Sequence, residues 1–208
     1  MYARVTTFKI DPAKLDQGIA NFKEKVVPMA RTAPGYAGVA LLLDRESGEG
    51  AGVTYWDTLT DMNTAEQVGQ QARRQSSEAT GAEVVDIDRF EMVLVNRVAD
   101  PVAPLYCRVN QLYADPRRID EGIAFVRDKA IPNLSTRKGY RSILMGVNRM
   151  TGRCIVTSNW ETSEDRAASE PAVVDQRREA ATIAGAKDVE VTLFEVAFVE
   201  IKQPTVAH

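Results

Sequence analysis

The chain has 208 residues, 44% of them hydrophobic and 26% charged, with a formal net charge of -3. That suffices for one large or two small cores, and the excess of acid excludes the basic surface that nucleic acid would demand. No apolar run approaches the ~18 residues of a membrane helix, and the two cysteines, Cys107 and Cys154, do not form a disulfide framework.

In chain order, residues 2 to 9 are rich in Val, Thr, Tyr and Phe and read as a strand. Asp11-Pro12 reads as a helix start, with Asp as the capping acceptor and Pro where no amide donor is needed. Leu15, Ile19, Phe22 and Val26 then share one helical face. Pro28 is expected to kink or end that helix. Gly35-Tyr36 releases the chain into an apolar strand over 36 to 44. The turn DRESGEG leads into a third strand ending at Trp56. Thr58 to Asp61 fits a capping box opening a second helix. That helix is poor in large apolar side chains, offering mainly Met62, Ala65, Val68 and Ala72, which favours a cavity beneath it. A last strand is expected from about 84 to 95.

The chain then repeats itself. Shifted by 104 residues, Tyr2 falls on Tyr106, Asp11-Pro12 on Asp115-Pro116, Pro28 on Pro132 and Gly35-Tyr36 on Gly139-Tyr140. Trp56 falls on Trp160, Arg73-Arg74 on Arg177-Arg178, and Phe90-Glu91 on Phe194-Glu195, with no gap. Residues 1–97 and 106–201 are therefore read as two copies of a β-α-β-β-α-β unit, with a Pro-containing linker over 98–105 and a tail over 202–208. Each such unit has helices on one sheet face and leaves the other bare, so the expected α+β fold packs two ferredoxin-like repeats sheet to sheet within one chain.

The segments APGYAG, TYWDTLTD and SNWETSED, in this order of elements, resemble the dimeric α/β-barrel superfamily, and within it the antibiotic-biosynthesis-monooxygenase (ABM) type. The resemblance spans nearly the whole chain in two tandem copies. It implies an intramolecular dimeric α/β barrel. For activity it implies a cofactor-independent monooxygenase acting on an aromatic or polyketide-like small molecule. The rival reading is a non-catalytic small-molecule-binding or interaction protein of the same fold.

Haem-degrading members of that superfamily place Asn on the first strand, and Trp and His on the second helix. Asn110 matches the strand position, where the first copy has Thr6. The second helices, AEQVGQQARRQ and ASEPAVVDQRRE, offer no His or Trp, and the sole histidine is His208, read as tail. Haem degradation is therefore not expected, classical zinc sites fail for want of His and clustered Cys, and no cofactor is expected.

By strand alternation Tyr2, Arg4, Thr6 and Phe8 share a face, as do Tyr106, Arg108, Asn110 and Leu112. If the family's Asn marks the pocket side, Arg108 and Asn110 are placed to bind an oxyanion, with Trp160 as a catalytic wall and Tyr140 beside it. Arg4, Tyr36 and Trp56 form the parallel set in the first copy, and Arg178 is a candidate at the pocket mouth. The copy with Asn110 is the preferred site. Other readings stay open: Arg4 and Arg108 as cross-strand ion pairs with Glu91 and Glu195, and the tryptophans and tyrosines as packing. The opening MYARVTTFKIDP has neither a basic run nor a long apolar stretch, so a cytoplasmic protein is expected, with a small-molecule ligand, a further homodimer of the pseudo-dimer as one option, and neither nucleic acid nor membrane as partner.

Overall fold

The computed structural model describes residues 1–202; His208 and residues 203–207 of the expected tail lie outside it. The strands are β1 (Tyr2–Lys9), β2 (Tyr36–Leu43), β3 (Glu49–Trp56), β4 (Glu83–Arg97), β5 (Leu105–Tyr113), β6 (Tyr140–Val147), β7 (Arg153–Trp160) and β8 (Glu190–Ile201). They are hydrogen-bonded in the order β1-β3-β2-β8-β5-β7-β6-β4, and the ladder closes on itself as a barrel. The helices are α1 (Leu15–Asn21), α2 (Val27–Arg31), α3 (Leu59–Thr64), α4 (Glu66–Thr80), α5 (Ile119–Phe125), α6 (Ile131–Ser135) and α7 (Ser163–Ile183).

By its internal contacts the chain divides into two compact units. One comprises Met1–Arg89, Pro101–Pro104 and residues from Glu195 onward; the other comprises Phe90–Asp100 and Leu105–Phe194. Each unit thus takes the end of a long strand from the other half of the sequence. In the first unit β2 pairs antiparallel with β8, from Gly38 opposite Ile201 to Leu43 opposite Glu195. In the second, β6 pairs with β4, from Ser142 opposite Arg97 to Val147 opposite Glu91.

The local signals do their expected jobs. The Asp11 and Asp115 side chains accept from the Ala13 and Arg117 amides, at 2.9 and 3.0 Å. Thr58 and Thr162 accept from the amides of Asp61 and Asp165 at 3.1 and 3.0 Å, worth about 1 kcal/mol per cap. Gly35 and Gly139 have φ of 67° and 72°. A β-carbon on Gly35 would stand 2.3 Å from the Asp61 carboxyl carbon, and one on Gly139 2.3 Å from Asp165 Oδ2. The Gly-Tyr turns are therefore confined to glycine by backbone angle and by space.

Pro28 and Pro132 do not end their helices. Each lies one residue into α2 or α6, and the preceding turns, Phe22–Val26 and Val126–Ala130, widen to π-helical geometry. The Val27 amide bonds the Phe22 carbonyl and the Ile131 amide bonds Val126, five residues back. A π turn accommodates a residue that clashes with the carbonyl four before it and donates no hydrogen bond.

Candidate functional site

In the first unit Arg4, Thr6 and Phe8 of β1 face the helices, as their alternation requires. Gly52, Thr54 and Trp56 of β3 join them, with Thr54 opposite Arg4 and Gly52 opposite Thr6. Leu15, Ile19, Phe22 and Val26 close one side, and Ala65, Val68, Gly69, Ala72 and Arg73 the other. The thin apolar cover of the second helix leaves a cavity of about 130 Å³ here.

The second unit builds the same cavity smaller, about 80 Å³, with Arg108, Asn110, Leu112, Val156, Ser158, Val173 and Arg177 on its wall. The difference follows from substitutions at matching positions. Gly52 becomes Val156, Gly69 becomes Val173 and Ala72 becomes Gln176, and all three replacements line the smaller space. The polar helix wall changes too. Asn21, which donates to Ser76 Oγ at 2.9 Å, becomes Phe125, and Ser76 becomes Ala180.

Each cavity is bounded at one end by buried arginine. Arg4 is 2% and Arg108 3% exposed. Their counter-ions are not Glu91 and Glu195, which bind Arg149 and Arg45 respectively at 3.2 and 2.7 Å. The partners come from the second helix: Glu66 lies 2.9 Å from Arg4 Nη2, and Glu170 lies 2.9 Å from Arg108 Nε. Glu66 also receives Arg73 at 2.6 Å and Arg89 at 3.2 Å, while Glu170 receives Arg177 at 2.8 Å. Three guanidiniums thus share one carboxylate in the first unit. Leu193 stands at the position matching Arg89, so the second has two on one.

Burial pulls the Arg4 and Arg108 pKa values down, against the pull of their glutamates. Burial would raise the Glu66 pKa, but the bond from Arg73 and the charges of Arg4, Arg73 and Arg89 hold it below the usual carboxylate value. Arg108 is the better satisfied arginine, donating to Ser169 Oγ at 3.0 Å and to the Arg166 carbonyl at 2.6 Å. Arg4 donates to the Met62 carbonyl. Ala65 replaces the serine, and the Nε of Arg4, like that of Arg108, is buried with no hydrogen-bond partner.

The other expected site residues fall in three places. Trp56 lines its cavity and donates from Nε1 to Thr54 Oγ1 at 3.1 Å. Trp160 is fully buried, donates to Ser158 Oγ at 3.1 Å, and is not among the cavity-lining residues. Tyr36 and Tyr140 also stand off both cavities. They pack edge-on against Trp56 and Trp160, at 6.3 and 5.8 Å between centroids, and donate to Glu200 at 3.1 Å and Asn96 at 2.8 Å. Burial pushes the Tyr140 hydroxyl up to about 12 and raises Tyr36 as well. Arg178 is exposed and bonds Asp175 at 3.0 Å, leaving its neighbour Arg177 at the cavity. Asn110 lines the smaller cavity, donates to the Val156 carbonyl at 3.1 Å and leaves a buried Oδ1 without a partner. Glu66 and Glu170 escaped the sequence reading, although they repeat at the same 104-residue shift as the arginines.

No protein-family profile matches the chain. Two uncharacterised proteins of Mycobacterium tuberculosis are 24% and 26% identical to it, each over 98% of this chain, and 91% and 86% of their own lengths are covered. Among solved structures, a candidate monooxygenase of Fusobacterium nucleatum superposes with a TM-score of 0.71 at 10% identity, covering 97% of this chain and 94% of that one. An anthrone oxidase-like protein gives 0.68 at 14%, covering 99% and 95%. A Listeria monocytogenes ferredoxin-fold protein related to antibiotic biosynthesis monooxygenases gives 0.52 at 8%, covering 94% and 95%. The fold is the dimeric α/β barrel. It is shared with monooxygenase-like proteins across almost the full chain, and among the described residues no helix is long and apolar enough to cross a membrane.

Proposed function

We propose that the chain is a cytoplasmic small-molecule enzyme, a cofactor-independent oxygenase of electron-rich aromatic or polyketide-like substrates, built from repeats at 1–97 and 106–201. The observation that carries this reading is the apolar cavity of about 130 Å³ beside the buried Arg4 and Arg73. Such a site holds a flat aromatic body against Phe8, Leu41 and Trp56. It sets fixed positive charge where a phenolate or enolate develops, and beside apolar walls that charge acts more strongly than in bulk water. Arg108 and Asn110 offer a smaller version of the same arrangement in the second repeat. The likeness to an anthrone oxidase-like protein supports the same chemistry.

The reaction needs no external reductant. An acidic methylene between aromatic rings loses a proton to give an electron-rich anion, and this passes its electrons to O₂. One oxygen atom becomes the product carbonyl, the other leaves as water with both methylene hydrogens, and the substrate supplies all the electrons. The cationic cluster favours the anion, and Trp56 and Phe8 hold the ring in place.

One observation favours a second reading, a non-catalytic small-molecule binder. The only titratable side chains on the wall of the larger cavity are Arg4 and Arg73, so the wall itself supplies no proton acceptor. The test is oxygen uptake with anthrone under air, with no cofactor added. Conversion to anthraquinone above the autoxidation rate, reduced by at least about tenfold in Arg4→Ala, supports the enzyme. Saturable binding of anthrone without uptake selects the binder.

A further inference from the structure

We propose that the two repeats have divided their roles: the first alone holds the ligand, an aromatic anion, and Gly52 and Gly69 are the specificity-determining positions. This rests on the reading that the cavities exist for a small molecule.

Gly69 borders both arginines of the cavity wall. Its α4 position faces both guanidiniums, and a β-carbon there would lie 2.9 Å from Arg4 Nη1 and 3.0 Å from Arg73 Nη1. Both contacts are with the free ends of arginine side chains, and Val173 stands at the matching position beside Arg108 and Arg177, so what the glycine preserves is space. Gly52 acts on the opposite wall. A β-carbon there meets only Phe22, at 3.6 Å, so nothing in the packing forbids a side chain. What its absence preserves is empty volume, which Val156 fills in the other copy. Two small residues that packing does not require, on opposite walls of one cavity, are the pattern of a ligand-shaped space.

The charge of the ligand follows from the cluster. Arg4 and Arg73 both line the cavity and share the carboxylate of Glu66, so two fixed cations meet one anion at its wall. Arg4 is 2% exposed, lines that cavity and has a buried Nε with no hydrogen-bond partner. A buried donor without a partner is costly unless an acceptor arrives. A carboxylate, sulfonate or phenolate supplies the acceptor and the compensating charge together. In the second repeat the matching Arg108 Nε is also buried without a hydrogen bond, but Ser169 and the Arg166 carbonyl hold its other two nitrogens and the space beside it is smaller.

The test is equilibrium titration of the full chain with 8-anilinonaphthalene-1-sulfonate, an anionic aromatic fluorophore, against its neutral relative N-phenyl-1-naphthylamine. The expected result is one sulfonate probe per chain, with the neutral dye at least about tenfold weaker. Gly69→Val should weaken the sulfonate by at least about tenfold, and Ala72→Gln, which copies the wall residue Gln176, should weaken it if Gly69→Val does not fold. The double variant Val156→Gly/Val173→Gly should raise the stoichiometry to two. Two probes on the unaltered chain, equal affinity for the neutral dye, or unchanged binding in folded Gly69→Val would overturn the division of roles while leaving small-molecule binding intact. Failure of the unaltered chain to bind either dye or anthrone would overturn both readings.

Discussion

The first and second repeats share one plan, yet they spend it differently. Around Trp160 the second is filled: Val156, Val173 and Gln176 occupy the wall, and Ser169 satisfies Arg108. Around Trp56 the first is left open, with glycine or alanine at the matching wall positions and a third arginine on the shared glutamate. One unit keeps packing density where the other gives some of it up for space. The contrast teaches that a site can be found by where a repeat departs from its own twin.

Six substitutions would break or sharpen that contrast. The largest effect is expected from the tryptophans: Trp→Ala in a core costs about 3–5 kcal/mol. Trp160→Ala should fall at the upper end, because its surroundings are filled. Trp56→Ala should cost less, because its ring already borders empty space. Urea unfolding of both variants measures the difference, and equal costs would argue that the first repeat is no looser.

Next come the glutamates. Glu66→Gln removes the carboxylate that the cavity arginines Arg4 and Arg73 share and should cost about 3 kcal/mol. Glu170 is 41% exposed at its side chain and serves two arginines, so Glu170→Gln should cost about 1 kcal/mol. The same pair sets a pH dependence. Both carboxylates are held below their ordinary value, Glu66 as described and Glu170 chiefly by the bond from Arg177. A depressed carboxylate contributes stability above the unfolded value of about 4.3 and loses it as pH falls through the folded value. Thermal unfolding across pH 7 to 3 should therefore show a steeper acid loss in the parent chain than in Glu66→Gln.

A smaller effect is expected of Ser169→Ala, which gives the second repeat the alanine of the first. Losing a buried hydrogen bond to Arg108 should cost about 1–2 kcal/mol by denaturation. The smallest belongs to Arg178→Ala. Its exposed pairing with Asp175 should be worth less than about 0.5 kcal/mol, and dye binding should not change. A large loss of binding there would restore Arg178 as a contact at the cavity mouth.

Most of the fold was legible because it is written twice. Asp-Pro helix starts, Thr caps and Gly-Tyr turns are local, and each recurs 104 residues later, so chance is excluded position by position. The strand face of Arg4, Thr6 and Phe8 followed from alternation alone. The course of the first helix through Pro28 did not, because a π turn leaves no composition mark. The arginine partners were missed for a different reason. Contact between β1 and the second helix depends on helix phase and tilt across 58 to 62 residues, so strand adjacency pointed to Glu91 and Glu195 instead. The choice between cavities turned on Asn110 in the sequence, whereas cavity size is decided by glycine against valine at two unremarked positions. Absent side chains carry no periodic signal.

The exchange of strand ends bears on how the chain is made. All eight residues of β2, YAGVALLL, are buried, and one edge of that strand is covered by residues near Ile201. Arg31, just before β2, meets Glu200 across 169 positions of sequence. At ribosomal speeds that gap is roughly 10–30 s, during which β2 has emerged and its covering strand does not yet exist. An apolar edge exposed for so long is an invitation to pair with a neighbour's. In the finished chain that edge of β2 is covered by β8.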